Sequence, residues 1–212
     1  YIELLNPLNA GPALIALYNG AAASPDDDLY NQPNGGQYYL HDIDFGNNIE
    51  DAWDECKGDP DVTIAIIDEG IELNYPGHTG HEDLVGNQWF NSGEIDGECE
   101  GDCATNGIDD DGNGYKDDKY GWNFVVEGEE NGNNIPWPEL NPNTGINYPH
   151  GTQCAGVAAA VTNNDKGIAG VAGGWGENGS GCKIMPIFAI PSGCFTYMPD
   201  LVEGIYYAVD NG

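Results

Sequence analysis

Residues 62 to 67, Val-Thr-Ile-Ala-Ile-Ile, are apolar or β-branched without strict alternation. A run of this kind reads as a central strand covered on both faces, the condition of parallel sheets with helices on either side. It ends at Asp68-Glu69-Gly70. Open α/β sheets build their sites just past the carboxyl ends of such strands, which makes Asp68 a candidate site residue. The ordinary alternative is a turn-forming Asp ahead of a glycine.

The rest of the chain supplies matching elements. Lys183 to Ile190 reads as a second buried strand, and Trp122, Phe124 and Val125 as a short one. Helices are expected near Asn48 to Lys57, with an Asn cap and Gly58 after the end; from His150 to about Val161; and from near Pro199, with Leu201, Ile205 and Ala208 on one face. Alternating strands and helices imply right-handed crossovers, hence an α/β fold of three layers, a mainly parallel sheet with helices on both faces. Residues 70 to 149 read as a long loop region dense in turn signals, in which Trp137, between two prolines, is a loop anchor.

His150 begins the segment His150-Gly151-Thr152-Gln153-Cys154-Ala155-Gly156, and a run of small residues follows it. A helix of small residues packs closely under a sheet and leaves its first residue at the rim of a cleft. A buried carboxylate such as Asp68 can hold an imidazole in the tautomer and orientation that take a proton from a nucleophile. An incidental histidine at a helix start is the competing reading.

At these two segments the chain resembles the subtilisin-like serine peptidases, the subtilases, whose Asp motif is Asp-[Ser/Thr/Asp]-Gly and whose His motif is His-Gly-Thr-x-[Cys/Val]-Ala-Gly. The order Asp then His agrees, as do Gln37-Tyr38-Tyr39-Leu40-His41-Asp42-Ile43, Ala52-Trp53, His81-Glu82-Asp83-Leu84 and Gly167-Ile168-Ala169-Gly170-Val171-Ala172. The resemblance runs from about residue 25 to 212; Glu69 departs from it and adds negative charge. It implies that Asp68 and His150 are two members of a Ser-His-Asp triad acting on protein or peptide substrates. The family's oxyanion Asn and nucleophilic Ser motifs do not occur here, and none of Ser24, Ser92, Ser180 and Ser192 has the right neighbours. The resemblance therefore implies the amino-terminal part of a catalytic domain, a fragment or one piece of a nicked enzyme, incomplete at its C-terminal side, inactive alone and partnered by the missing part. The rival reading is an inactive subtilase-like secreted structural or binding module. Gly193, Phe195 and Thr196 align with the edge that in subtilases pairs with the substrate backbone, a mode of recognition by strand addition; an ordinary connecting loop is the alternative. Cys154 falls where related subtilases carry a buried free thiol.

Asp109-x-Asp111-x-Asn113-Gly114 reproduces the first half of a calcium loop, with oxygens at alternate positions and glycine at the sharp turn. The backbone carbonyl of Tyr115 and the side chain of Asp117 continue it. The twelfth position is Tyr120 rather than a bidentate Glu, and Asp118 is the candidate replacement. Clustered like charges repel unless a cation offsets them, which favours calcium over a solvated acidic turn. By resemblance, Asp83 belongs to a second calcium site. His78 and His81 have a spacing that suits zinc but no matching second pair of ligands.

The formal charge is −31, from 36 acidic residues against five lysines and no arginine. Nucleic acid and anionic membranes need a positive surface and are poor partners. No apolar run is long enough to span a membrane. Six cysteines point to an oxidising compartment and a secreted or cell-surface location. Cys99 with Cys103 and Cys182 with Cys194 are the pairings that suggest themselves; spacing does not settle connectivity, and Cys56 is left over. Residues 1 to 24 read as an N-terminal extension or propeptide remnant, and 25 to 212 as the peptidase portion, with an acidic insertion at about 96 to 120.

Overall fold

The structure is a computed structural model that describes residues 24–30, 32, 36–41, 48–95, 103–125, 132–191 and 198–212. Helices α1 (Tyr38–His41) and α2 (Ile49–Glu55) precede strand β1 (Thr63–Asp68). A long irregular stretch holds two 3-10 turns, Val85–Asn87 and Ser92–Glu94, and the short strand β2 (Trp122–Asn123). Helix α3 (His150–Ala159), strand β3 (Lys183–Phe188) and helix α4 (Met198–Asn211) follow. Most of the N-terminal extension lies outside the described residues.

The three strands form one sheet in the order β1-β3-β2, all parallel, with Asp68 in register with Phe188 and Asn123 also opposite Phe188. Alternation along β3 separates two cores. Ile184 points with Ile64 and Ile66 toward α3, where Ala155, Ala159, Ile71, Leu73 and Leu84 pack. Met185 and Ile187 point the other way, with Ile67, toward Tyr207 and Ala208 of α4 and toward Trp89 and Trp122. Helices thus cover both faces, as the apolar runs require. A third cluster joins Tyr30, Leu40, Ile49 and Trp53 to Ala169, and the Trp53 indole N–H donates to the Val171 carbonyl at 2.8 Å.

One expectation, the buried face of the last helix, is corrected. Among the described residues strand β3, buried from Ile184 to Phe188, has a neighbour on each side. Strand β1 pairs with β3 alone among the described residues, and most of it is half-buried; apolar composition reports covered faces but not the number of strand neighbours. On α4 the buried positions are Gly204 and Tyr207, and Ile205 is 47% exposed. A Cβ on Gly204 would lie 3.0 Å from the Ile187 side chain, so the helix is seated on its glycine.

Candidate active site and acidic cluster

Asp68 ends β1 and is buried. Its carbonyl accepts from the Ala189 and Ile190 N–H groups at 3.1 and 3.2 Å, which ties the ends of β1 and β3 together. Its carboxylate meets His150 Nδ1 at 2.9 Å through Oδ1 and 2.8 Å through Oδ2, and Oδ1 also accepts the Glu69 N–H at 2.8 Å. The residues that the sequence singled out 82 positions apart therefore meet. Gly151 makes this possible, because a Cβ there would lie 2.2 Å from the Gly70 carbonyl oxygen and 3.1 Å from Asp68 Cβ.

Glu69 has a structural part in the same arrangement. Pro149, at the N-cap of α3, offers no side-chain cap, and Glu69 Oε1 accepts the His150 backbone N–H at 2.9 Å instead. A carboxylate at this position also complements the positive end of the helix dipole. The hydrogen bond to Asp68, then the charges of Asp68 and Glu69, raise the His150 pKa above the ordinary histidine value. The imidazole is 69% exposed, so its far side is open.

Cys154 is not a buried hydrophobe. It is half-buried, and its Sγ lies 3.8 and 3.9 Å from the two ring nitrogens of His150. Partial burial and the neighbouring Asp68 push the thiol pKa up, which disfavours the nucleophilic thiolate. Cys182 is a free, buried thiol, so the expected pairing with Cys194 does not form. Cys103 is disulfide-bonded; Cys99, its expected partner, lies outside the described residues, and Cys56 is free. Gly193, Phe195 and Thr196 also lie outside the described residues.

The acidic insertion divides its expected ligands into two kinds. Asp109 is a turn former, its carboxylate accepting the N–H groups of Gly112, Asn113 and Gly114 at 2.8, 3.1 and 2.9 Å. Asp117, in the left-handed region at φ 54°, accepts the Gly107 N–H. Asn113 uses its oxygen on the Tyr115 N–H and its amide on Asp111, Asp118 and Asn211. The Tyr115 ring packs on Trp122, Phe124 and Tyr207.

Asp111 and Asp118 do converge, and they converge with Glu94, which the alternating pattern did not reveal. One ligand oxygen from each of the three lies within 4.8 Å of the others. Glu94 is fully buried; Oε1 accepts the Asp110 N–H at 2.9 Å, whereas Oε2 has no hydrogen-bond partner. Burial, with the charges of Asp118, Asp111 and Asp110 behind it, pushes the Glu94 pKa up to about 7. The one signal in the sequence was a lone acid between apolar Trp89-Phe90 and Ile95.

Asp83 stands in a different group. Its carboxylate accepts from Asn164 Nδ2 at 2.9 Å and the Ile168 N–H at 3.0 Å. Buried Asp27 accepts the Asn163 N–H at 2.7 Å, leaves Oδ1 unpartnered, and has its pKa pushed up to about 6 by burial, with the Asp83 charge adding to the shift. His78 stacks on Trp137 at 4.4 Å and His81 Nδ1 accepts the Asp83 N–H; among the described residues neither belongs to a cluster of three metal-ligating side chains.

A parallel sheet that delivers a carboxylate to an imidazole at a helix start is an architecture of hydrolases with an acid–base pair. The sequence model of the subtilase family matches residues 59–212, and the chain belongs to that family. It is 29% identical over 188 residues to the halolysin-like extracellular serine protease Nep of Natrialba magadii, covering 89% of this chain and 24% of that protein. Identity to an extracellular protease of Xanthomonas campestris pv. campestris is 30% over 188 residues, covering 89% of this chain and 26% of that protein. For thermitase of Thermoactinomyces vulgaris it is 31% over 163 residues, covering 76% and 37%. The chain thus spans less than two fifths of the length of these relatives. No helix among the described residues is long and apolar enough to cross a membrane.

Proposed function

We propose that this chain carries the Asp and His of a secreted, calcium-dependent subtilisin-like serine endopeptidase, whose nucleophilic Ser and oxyanion Asn belong to a part of the catalytic domain outside these 212 residues. The observation that carries the proposal is the 2.8 Å contact between His150 Nδ1 and the buried Asp68 carboxylate. With Nδ1–H committed to the carboxylate, Nε2 is the nitrogen left to accept a proton. His150 acts as general base toward the serine hydroxyl and then as general acid toward the leaving amine, while Asp68 orients the ring and stabilises the imidazolium. Gly193, Phe195 and Thr196 serve the substrate backbone.

Calcium suits the hard oxygen donors of both acidic groups, one around Asp111 and Asp118 and one around Asp83. In each group a buried carboxylate oxygen without a partner supports that reading. Secretion is supported by relatives that are themselves named extracellular and by the disulfide at Cys103.

The test is labelling of the full-length protein with a fluorophosphonate probe. Labelling is expected in the wild type and strongly reduced labelling in His150→Ala. A wild type that binds calcium yet takes no label would establish the inactive binding module instead.

A further inference from the structure

We propose that the cleft between residues 113–115 and helix α4 is a binding site for an arginine side chain presented by a basic polypeptide. The inference stands independently of the peptidase reading, because neither Asp68 nor His150 takes part in this cleft.

The cleft has a volume of about 370 Å³ and is lined by Asn113, Gly114 and Tyr115 and, from α4, by Glu203 and Tyr206. Sites for small ligands occupy about 300–1,000 Å³. None of Glu94, Asp111 and Asp118 lines it. One wall is fixed: the Tyr115 ring packs against Trp122, Phe124 and Tyr207 with centroids 5.0 to 5.8 Å away. Beside it Gly114, at φ 98°, leaves open space where another residue would carry a Cβ. The other wall can adjust. Glu203 and Tyr206 are three residues apart on one helix, hence neighbours on its surface, and Tyr206 is 66% exposed.

The chemistry of this lining selects a cation. Burial, and after it the negative charges of Glu203, Asp118 and Asp210, raise the Tyr115 pKa, so the cleft lies in a field that favours positive charge. The described residues do not answer that field. Their ion pairs join His150 to Asp68 and Lys166 to Glu82, Lys57 and Lys119 lie over Trp175 and Tyr120, and Lys116, though next to Tyr115, is not in the lining. A guanidinium suits the site better than an ammonium: its flat face stacks on a tyrosine ring while its edge donates two parallel hydrogen bonds to a carboxylate. These 212 residues contain no arginine, so a second copy of them does not supply the occupant. The charge of −31 steers a basic partner toward this surface.

Fluorine NMR of the full-length protein carrying fluorotyrosine, titrated with Nα-acetyl-argininamide, tests the site; Tyr115→Phe and Tyr206→Phe assign the two resonances. The arginine probe should shift both saturably with a Kd on the order of 1 mM, and Nα-acetyl-leucinamide should shift neither. Glu203→Gln and Tyr206→Ala, both at exposed positions, should each weaken binding by about 2–5-fold, read at Tyr115. Added sodium chloride should weaken it in the wild type. Equal affinity for Nα-acetyl-lysinamide would overturn the choice of a guanidinium, and equal shifts with the leucine probe would overturn the choice of a cation. No saturable shift, or wild-type affinity in both variants, would overturn the site itself.

Discussion

Asp68 accepts hydrogen bonds at its carbonyl from the end of β3 and at its carboxylate from His150 and from the next backbone N–H, so the sheet holds it from both sides. Asp68→Asn keeps the volume but offers an amide that favours the wrong imidazole tautomer. On the proposed peptidase reading, kcat of the full-length protein is expected to fall by about 10⁴-fold. The same contact sets a pH dependence. Since Asp68 raises the His150 pKa, the acidic limb of kcat/KM should lie above the ordinary histidine value of about 6.5, and Glu69→Gln, which removes a second negative neighbour, should move it down. Stability runs the opposite way: the ion pair contributes fully below the ordinary histidine pKa and is lost as pH rises through the raised one. Because His150 is largely solvent-exposed, this contribution is small, and a pH-rate profile is the measurement that reads the shift.

At the scale of elements, α3 is placed by what it lacks. Gly151 lets the first turn approach the Gly70 carbonyl, and Gly151→Ala places a methyl 2.2 Å from that oxygen. The helix must then retreat from β1, which should cost about 1–3 kcal/mol in chemical denaturation and lengthen the Asp68–His150 contact, seen as a larger loss of activity than of stability. Asp68 and His150 were legible in the sequence because each sits in a local pattern, an apolar run ending in an acid and a histidine opening a small-residue helix. Glu94 was not, because its partners Asp111 and Asp118 come from another segment and meet it only in three dimensions. The alternation of Asp109, Asp111 and Asn113 was legible as a tight acidic turn, but it did not show that Asp111 meets Glu94 and Asp118.

For the whole molecule, a charge of −31 on 212 residues opposes compaction through self-repulsion. The proposed divalent cations would lower that charge and bind only the folded arrangement of carboxylates. Chelation should therefore lower the melting temperature of the full-length protein by on the order of 5 °C for each site saturated at about 100 times its Kd. Added sodium chloride should recover part of the loss by screening, and calcium should recover all of it; differential scanning calorimetry separates the two. Unchanged melting after chelation would count against both acidic groups as cation sites.

The closeness of Gly151 to Gly70 has a further consequence for how such a protein can change. The contact pins together the two ends of the segment from 71 to 149. Within it Ile71, Leu73, Leu84, Trp89 and β2 belong to the core and the sheet, so only its exposed turns can vary in length while Asp68 and His150 stay in register. Extending a surface loop whose ends are already joined has a low entropic cost. Exposed turns in that interval can thus lengthen without moving the Asp68–His150 pair.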